Sequence, residues 1–370
     1  MRVLLVGPTY PHRGGLVHYT HTLANGLASQ PGTTVSLLSF RKLFPRLLYT
    51  GKDVQGAQSI PLLPGIEVHR TLTYGNPLSW RRGAAQLDGA DILHLQVWTG
   101  FLAPALSSLA RAAQRRGIKV VATLHNVEPH EARDRVFLPA LRRLLRHVDL
   151  VLVHSPSFVD RCAMTFRVPA ARIGVVPHPA YSQFGKGKHS RAAGRASLGL
   201  RPDDVAVLQF GTIRPYKGLG VSLDALALLP DPFKLVVAGE CWEDWGTYES
   251  RITSLGIKDR VVARVGYVPD EDLQLYFQAA DVAIFPYVQF EAQSGAALAA
   301  IGAGLPVVAS RVGALPDVLD ARTLVDPANP SQLAEALRRF AADPSDWPRA
   351  QGPSGAEAAQ ATLRHYEALV

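Results

Sequence analysis

Short strand-like runs rich in Val, Ile and Leu recur along the 370-residue chain, with helical patterns between them. In the first half they fall at residues 2–6, 34–39, 91–95, 119–124, 150–153 and 173–176. In the second half they fall at 205–210, 234–238, 261–265, 282–285 and 306–310. Runs of Val, Ile and Leu that do not alternate with polar residues predict strands buried on both faces, hence parallel sheets covered by helices. In such sheets ligands gather beyond the carboxyl ends of the strands, so the strand-to-helix loops are where functional residues are expected.

Length and a 47% hydrophobic content suit two domains with cores of their own. Residues 181–200, YSQFGKGKHSRAAGRASLGL, are rich in Gly, Ser, Lys and Arg and carry no sustained apolar period. They are read as the linker between a domain at 1–180 and a domain at 201–350, with a last helix in 351–370. No residue-level repeat links the halves. Two cysteines, Cys162 and Cys241, are too few for a disulfide framework and read as reduced thiols of a cytoplasmic protein. MRVLLVGPTY is too short an apolar run for a signal peptide, and no run of about 18 apolar residues marks a membrane span.

Charge is uneven. Residues 1–180 hold 21 Lys+Arg against 9 Asp+Glu, whereas the remainder holds 18 against 22. A basic half calls for an anionic partner or is a solvated surface. Nucleic acid fits poorly, because the arginines lie on helices without interleaved aromatic residues. Six of them, Arg111, Arg115, Arg116, Arg142, Arg143 and Arg146, fall in two segments, FLAPALSSLARAAQRR at 101–116 and VFLPALRRLLRH at 136–147. Either is an amphipathic helix packed on a sheet with a solvated basic face, or a helix lying on an anionic bilayer.

Residues 285–316, FPYVQFEAQSGAALAAIGAGLPVVASRVGALP, combine a strand end, a polar loop, a helix of small residues opened by Ser294, and a second strand. Ser294 suits the N-cap, and only Gly and Ala fill the first three helical positions, so an anion can approach the unpaired N–H groups of the first turn closely. Tight helix–sheet packing produces the same pattern. Gly211-Thr212-Ile213-Arg214-Pro215-Tyr216-Lys217-Gly218 follows another strand and offers two cations at its carboxyl end, suited to a diphosphate or to surface ion pairs. After the first strand, Gly14-Gly15 precedes a helix and lets backbone amides approach a ligand. His125 directly follows the strand at 119–124. Asp270-Glu271-Asp272 resembles a metal motif, but acids in a first helical turn are explained by the helix dipole, and no metal is expected.

These motifs, in this order, resemble the GT-B glycosyltransferases of the retaining family 4 group. Members carry a Glu, seven residues, a second Glu, then Ala-x-x-x-Gly-x-Pro-Val-Val. Counting back from Gly304, Pro306, Val307 and Val308 puts the first acid on Glu291 and the second on Ala299, which is not acidic. The resemblance implies an α/β, GT-B fold of two Rossmann-like domains facing a central cleft, with the last helix crossing back to the N-terminal domain. It implies a nucleoside-diphosphate sugar as donor substrate, no cofactor, and transfer of a hexosyl group to a glycan or lipid-linked acceptor hydroxyl in polysaccharide or glycolipid synthesis. His125 and Glu291 would face the donor sugar, and Arg214 and Lys217 the leaving diphosphate. Gly14, Gly15, Gly211, Ala292, Gln293, Ser294 and Gly295 would line the donor, with Tyr267 and Val268 at the nucleobase. Asn126, Glu128 and His130 would meet the acceptor. The second Glu of the pattern would hold the ribose, and Ala299 stands in its place, so that contact is rebuilt or missing here. Family members generally need no metal for chemistry. The expected place is the cytoplasm, with peripheral association at the inner face of the membrane. Two rivals remain, a sugar-nucleotide epimerase of the same fold and a non-catalytic nucleotide-binding subunit.

Overall fold

The computed structural model describes residues 1–43, 59–127, 132–185 and 189–370. Its contacts divide the chain into two compact units. The first is Met1–Pro179 with Glu291–Gln293 and Pro353–Val370; the second is Ala180–Phe290 with Ser294–Gly352.

In the first unit, β1 (Arg2–Val6), β2 (Thr34–Lys42), β3 (Glu67–Thr73), β4 (Ile92–Val97), β5 (Lys119–Leu124), β6 (Leu150–Val153) and β7 (Ile173–Val175) form one sheet in the order β3-β2-β1-β4-β5-β6-β7. Every pairing is parallel, with Val3 opposite Val35 on one side and Ile92 on the other. β3 was not expected, because EVHRTLT holds only two apolar residues, Val68 and Leu72, with three polar ones between them. It is an edge strand and lacks the continuous burial of the central strands. Leu5, Tyr19, Leu23, Leu27, Leu37, Val121 and Leu152 join Ala359 and Tyr366 of the last helix, Gly355–Glu367, in one core. That helix lies against helix Gly15–Ala28, where a Cβ on Gly26 would sit 2.6 Å from the Gly355 carbonyl oxygen, so a larger residue would force the two apart. It opens on a capping box. Ser354 Oγ accepts from the Glu357 amide at 3.2 Å, and the Glu357 carboxylate accepts from the Ser354 amide at 2.7 Å.

In the second unit, β8 (Val205–Phe210), β9 (Phe233–Gly239), β10 (Val261–Val265), β11 (Val282–Phe285), β12 (Val307–Ser310) and β13 (Leu324–Val325) give the order β10-β9-β8-β11-β12-β13, again all parallel. From β8 the chain builds outward through β9 and β10, then returns to add β11 on the other side. The strand order therefore reverses beside β8, and the loops after β8 and β11 border the crevice this creates. Those are the basic loop at 211–218 and the loop leading to Ser294.

The expected linker is a correction. Residues 181–200 hold helix Arg191–Leu198, capped by Ser190 and closed by Gly199, and they belong to the second unit. Arg195, one of the residues that made the segment look solvated, is 5% exposed. Its guanidinium meets Asp281 at 3.2 Å and donates to the carbonyls of Ala279 and Arg201. Burial of this arginine is tolerated because the carboxylate and carbonyls receive its donors. Cys162 and Cys241 are free thiols. Among the described residues no helix is long and apolar enough to cross a membrane.

Candidate active site

The basic loop of the second unit is held from below by its own sheet. Gln209, on β8, donates to the Lys217 carbonyl at 3.0 Å and accepts from Ser222 Oγ at 2.7 Å. Gly218 adopts φ +72° where the Pro286 carbonyl crowds in, a position that tolerates no side chain. Tyr216 O accepts from the Val288 amide at 2.9 Å, tying this loop to the one after β11.

Lys217 is half-buried, and its Nζ lies 4.0 Å from the ring centre of Tyr287, 5.1 Å from Phe290 and 5.3 Å from Tyr216. Such faces attract a cation while stripping its water, and burial, assisted by the Arg214 charge, draws the ammonium below the usual lysine value. Nζ donates to Tyr287 OH at 2.9 Å, and that hydroxyl is 2.8 Å from Ser294 Oγ. Ser294 Oγ accepts from the Ala297 amide at 3.2 Å and so caps helix Gly295–Gly302, as its sequence predicted. One hydrogen-bonded chain therefore runs from the lysine of one loop to the N-terminus of the small-residue helix. Arg214 stacks over Trp242, its guanidinium carbon 4.1 Å from the ring centre. Gly211, at φ +118°, begins this loop next to Ala296. Tyr267 and Val268, both half-buried, follow edge strand β10 at the same end of the sheet. Asp270, Glu271 and Asp272 fill the first turn of helix Asp270–Ala279. Ala299 is 4% exposed within its helix.

In the first unit Gly14 takes φ +106° as the N-cap of helix Gly15–Ala28, and both glycines are exposed with open space where a Cβ would be. His125 follows β5, and its Nε2 meets Gln96 Oε1 at 2.7 Å. The same strand-end signal recurs in two histidines the sequence reading passed over. His154 follows β6 and His178 comes shortly after β7. Ring nitrogens of His125, His154 and His178 all lie within 4.8 Å of one another. Beneath them His94 Nε2 is 2.7 Å from Thr123 Oγ1, while His94 Nδ1 reaches the hydroxyl of Tyr366. Burial pushes His154 down to about 4 and His94 to about 3, and holds His125 and His178 well below the ordinary histidine value, so all four are neutral at pH 7. Asn126 Nδ2 donates to Trp98 O at 2.8 Å, and its backbone forms an antiparallel bridge with Ala292. Glu291 forms an ion pair with Arg161 of helix Val159–Phe166, a partner not anticipated from sequence. Gln293 Oε1 is buried and has no hydrogen-bond partner among the described residues. Glu128 and His130 lie outside the described residues.

A separate pocket of about 1040 Å³ in the first unit is lined by Arg111, Arg142, Arg143, Arg146 and Arg167 beside Trp80. Among the described residues no acidic one lines it. Burial, with the charges of Arg111, Arg143 and Arg146, lowers the pKa of His147 at its edge.

Two family descriptions match the chain in the order of its units, Glycosyltransferase Family 4 over residues 13–180 and Glycosyl transferases group 1 over residues 204–343. The GDP-mannose-dependent alpha-(1-6)-phosphatidylinositol monomannoside mannosyltransferase of Mycolicibacterium smegmatis is 30% identical over 262 residues, 67% of this chain and 67% of that protein. The chain belongs to the family 4 glycosyltransferases. An uncharacterised glycosyltransferase of Methanocaldococcus jannaschii is 26% identical over 377 residues, covering 94% of this chain and 90% of its own length. Among solved structures, Anabaena HepE in complex with UDP and glucose superposes with a TM-score of 0.73 at 18% identity, covering 100% of this chain and 99% of that one. The two parallel sheets are thus those of the GT-B fold. For this family 4 enzyme the lysine loop and the Ser294 helix lie in the part matched by the group 1 description, and the histidines lie in the part matched by the family 4 description.

Proposed function

We propose that this glycosyltransferase uses a nucleoside-diphosphate sugar and transfers the sugar with retention to the hydroxyl of a glycan or lipid-linked acceptor. The observation that carries this reading is the chain Lys217–Tyr287–Ser294, which joins a caged ammonium to a helix N-terminus at the sheet's reversal point. Both features favour an anion, and a diphosphate offers oxygens to each. The relative crystallised with UDP and glucose supports the same donor class.

In the proposed reaction the bond between the anomeric carbon and the phosphate oxygen breaks while the acceptor oxygen bonds that carbon from the same face. The acceptor proton passes to the leaving phosphate. Arg214, Lys217 and the amides at Ser294 and Gly295 offset the charge growing on the diphosphate, so the step calls for no metal ion. Glu291, Ala292, Gln293 and His125 are assigned to the sugar. Gly14, Gly15 and Gly211 are assigned to the donor's phosphates, Tyr267 and Val268 to its base, and Asn126, Glu128 and His130 to the acceptor. The arginine-lined pocket supports a further reading, that the first unit docks on an anionic membrane surface at the cytoplasmic face, placing the enzyme beside lipid-linked acceptors in polysaccharide or glycolipid synthesis. The test is to incubate the purified chain with a panel of α-linked nucleotide sugars and candidate acceptors and to read the product anomer by NMR. An α-product supports the proposal. A β-product overturns retention, and release of an epimerised sugar nucleotide overturns transfer.

A further inference from the structure

We propose that His125, His154 and His178 form a binding site for a divalent transition ion of the zinc class. Three adjacent parallel strands, β5, β6 and β7, lead into these residues, so the imidazoles arrive side by side at one end of the sheet. His154 and His178 are each 7% exposed. The ring of Tyr19 contacts all three, at 4.7 Å from His125, 5.1 Å from His154 and 4.9 Å from His178 between ring centres, and hinders their rotation.

Each histidine has a hydrogen-bond partner that sets which nitrogen is basic. Gln96 Oε1 accepts from His125 Nε2, leaving the lone pair on Nδ1. Val176 O accepts from His154 Nδ1 at 3.3 Å, and Pro179 O from His178 Nδ1 at 3.1 Å, which puts the basic lone pair of both on Nε2. This is the arrangement by which outer partners orient metal-ligating histidines. His125 Nδ1 and His154 Nε2 then face each other at 3.4 Å, two acceptors with no proton to share. Two nitrogens about 2.0–2.1 Å from a tetrahedral zinc ion stand about 3.4 Å apart, so this pair already has the spacing of a chelate. The third nitrogen lies within 4.8 Å, and the triangle closes if its separations shorten by up to about 1.4 Å. Imidazoles without a carboxylate select zinc, cobalt, nickel or copper over magnesium or calcium, and three protein ligands leave a fourth position open. An ion there engages His125 Nδ1, so, given the proposed role of His125 at the donor sugar, the filled site suppresses transfer.

The test titrates tag-free, chelator-stripped chain with Co²⁺, followed by visible absorption, and then displaces the cobalt with Zn²⁺. The expected result is a single ion per chain with the bands of a four-coordinate ion held by three nitrogens and a solvent oxygen. Binding should be lost in His154→Gln and His178→Gln, and should weaken about 10–100-fold in Gln96→Ala, which removes only an orienting partner. If the histidine variants fail to fold, the cobalt spectrum of the unaltered chain and the Gln96→Ala titration still decide. No saturable cobalt binding, or equal affinity in all variants, overturns the site. Binding without loss of transferase activity supports the site and counts against His125 at the donor sugar.

Discussion

Tyr287 places one hydroxyl between the Lys217 ammonium and the Ser294 hydroxyl, inside a wall of aromatic rings. Removing that hydroxyl leaves a half-buried ammonium and a buried hydroxyl each short of a partner, at a cost of about 1–3 kcal/mol. Tyr287→Phe should lower the stability measured by chemical denaturation by that amount, and an unchanged midpoint would mean the hydroxyl does not join the two. Glu291 makes a different prediction. Assigned to the sugar, it should affect transfer more than nucleotide capture, so Glu291→Gln should lower kcat sharply while nucleoside-diphosphate affinity stays near that of the unaltered chain. Full turnover by this variant would remove Glu291 from the sugar. At this scale the sequence displayed the cap at Ser294 and the cations of the loop, because each is a local signal. The cage was invisible, since Tyr287 stands 70 residues from Lys217 and only the fold brings them together. The Glu291–Arg161 pair was hidden for the same reason.

Among elements, the continuous apolar runs revealed nearly every strand, because most of these strands are buried on both faces and so keep no polar side. β3 escaped through its edge position, and β13 has only two residues, too few to carry a pattern. His154 and His178 were legible by the rule that singled out His125, a histidine near a strand's carboxyl end, but one sequence does not say that three such ends adjoin. Buried neutral histidines also make stability depend on pH. His21, on helix Gly15–Ala28, is pushed down to about 4 by burial, with the charges of His18 and Arg70 adding to the effect and its bond to the Ile60 carbonyl partly offsetting it. His94, on β4, is pushed to about 3 by burial, with His154 adding to the effect. In the unfolded chain both take up a proton near the ordinary value of about 6.5. Between those values the unfolded state binds more protons, so stability rises with pH. The contribution is fully present above about pH 6.5 and is lost on acidification, at up to about 1.4 kcal/mol per pH unit for each histidine. Denaturation midpoints from pH 7 to pH 5 should fall, and the fall should be shallower in His21→Gln. An equal slope in that variant would rule out His21 as a contributor.

For the whole molecule, the excess of cations in residues 1–180 and the arginine-lined pocket lie in the first unit, while the acids concentrate in the remainder. Sedimentation with vesicles containing anionic lipid should pull the chain down at low salt and release it at high salt, because exposed charges are screened beyond a Debye length of about 8–10 Å at ordinary ionic strength. Equal binding to neutral vesicles, or none to either, would contradict membrane docking. The central claim is that the lysine loop and the Ser294 helix together bind a donor's diphosphate, and calorimetric titration of UDP, GDP, ADP and dTDP into the full chain tests it. At least one should bind, and Arg214→Ala and Lys217→Ala should each weaken that binding about 10–150-fold, the equivalent of about 1.5–3 kcal/mol for a hydrogen bond to a charged group. Binding of none of the four, or equal affinity in both variants, would contradict it.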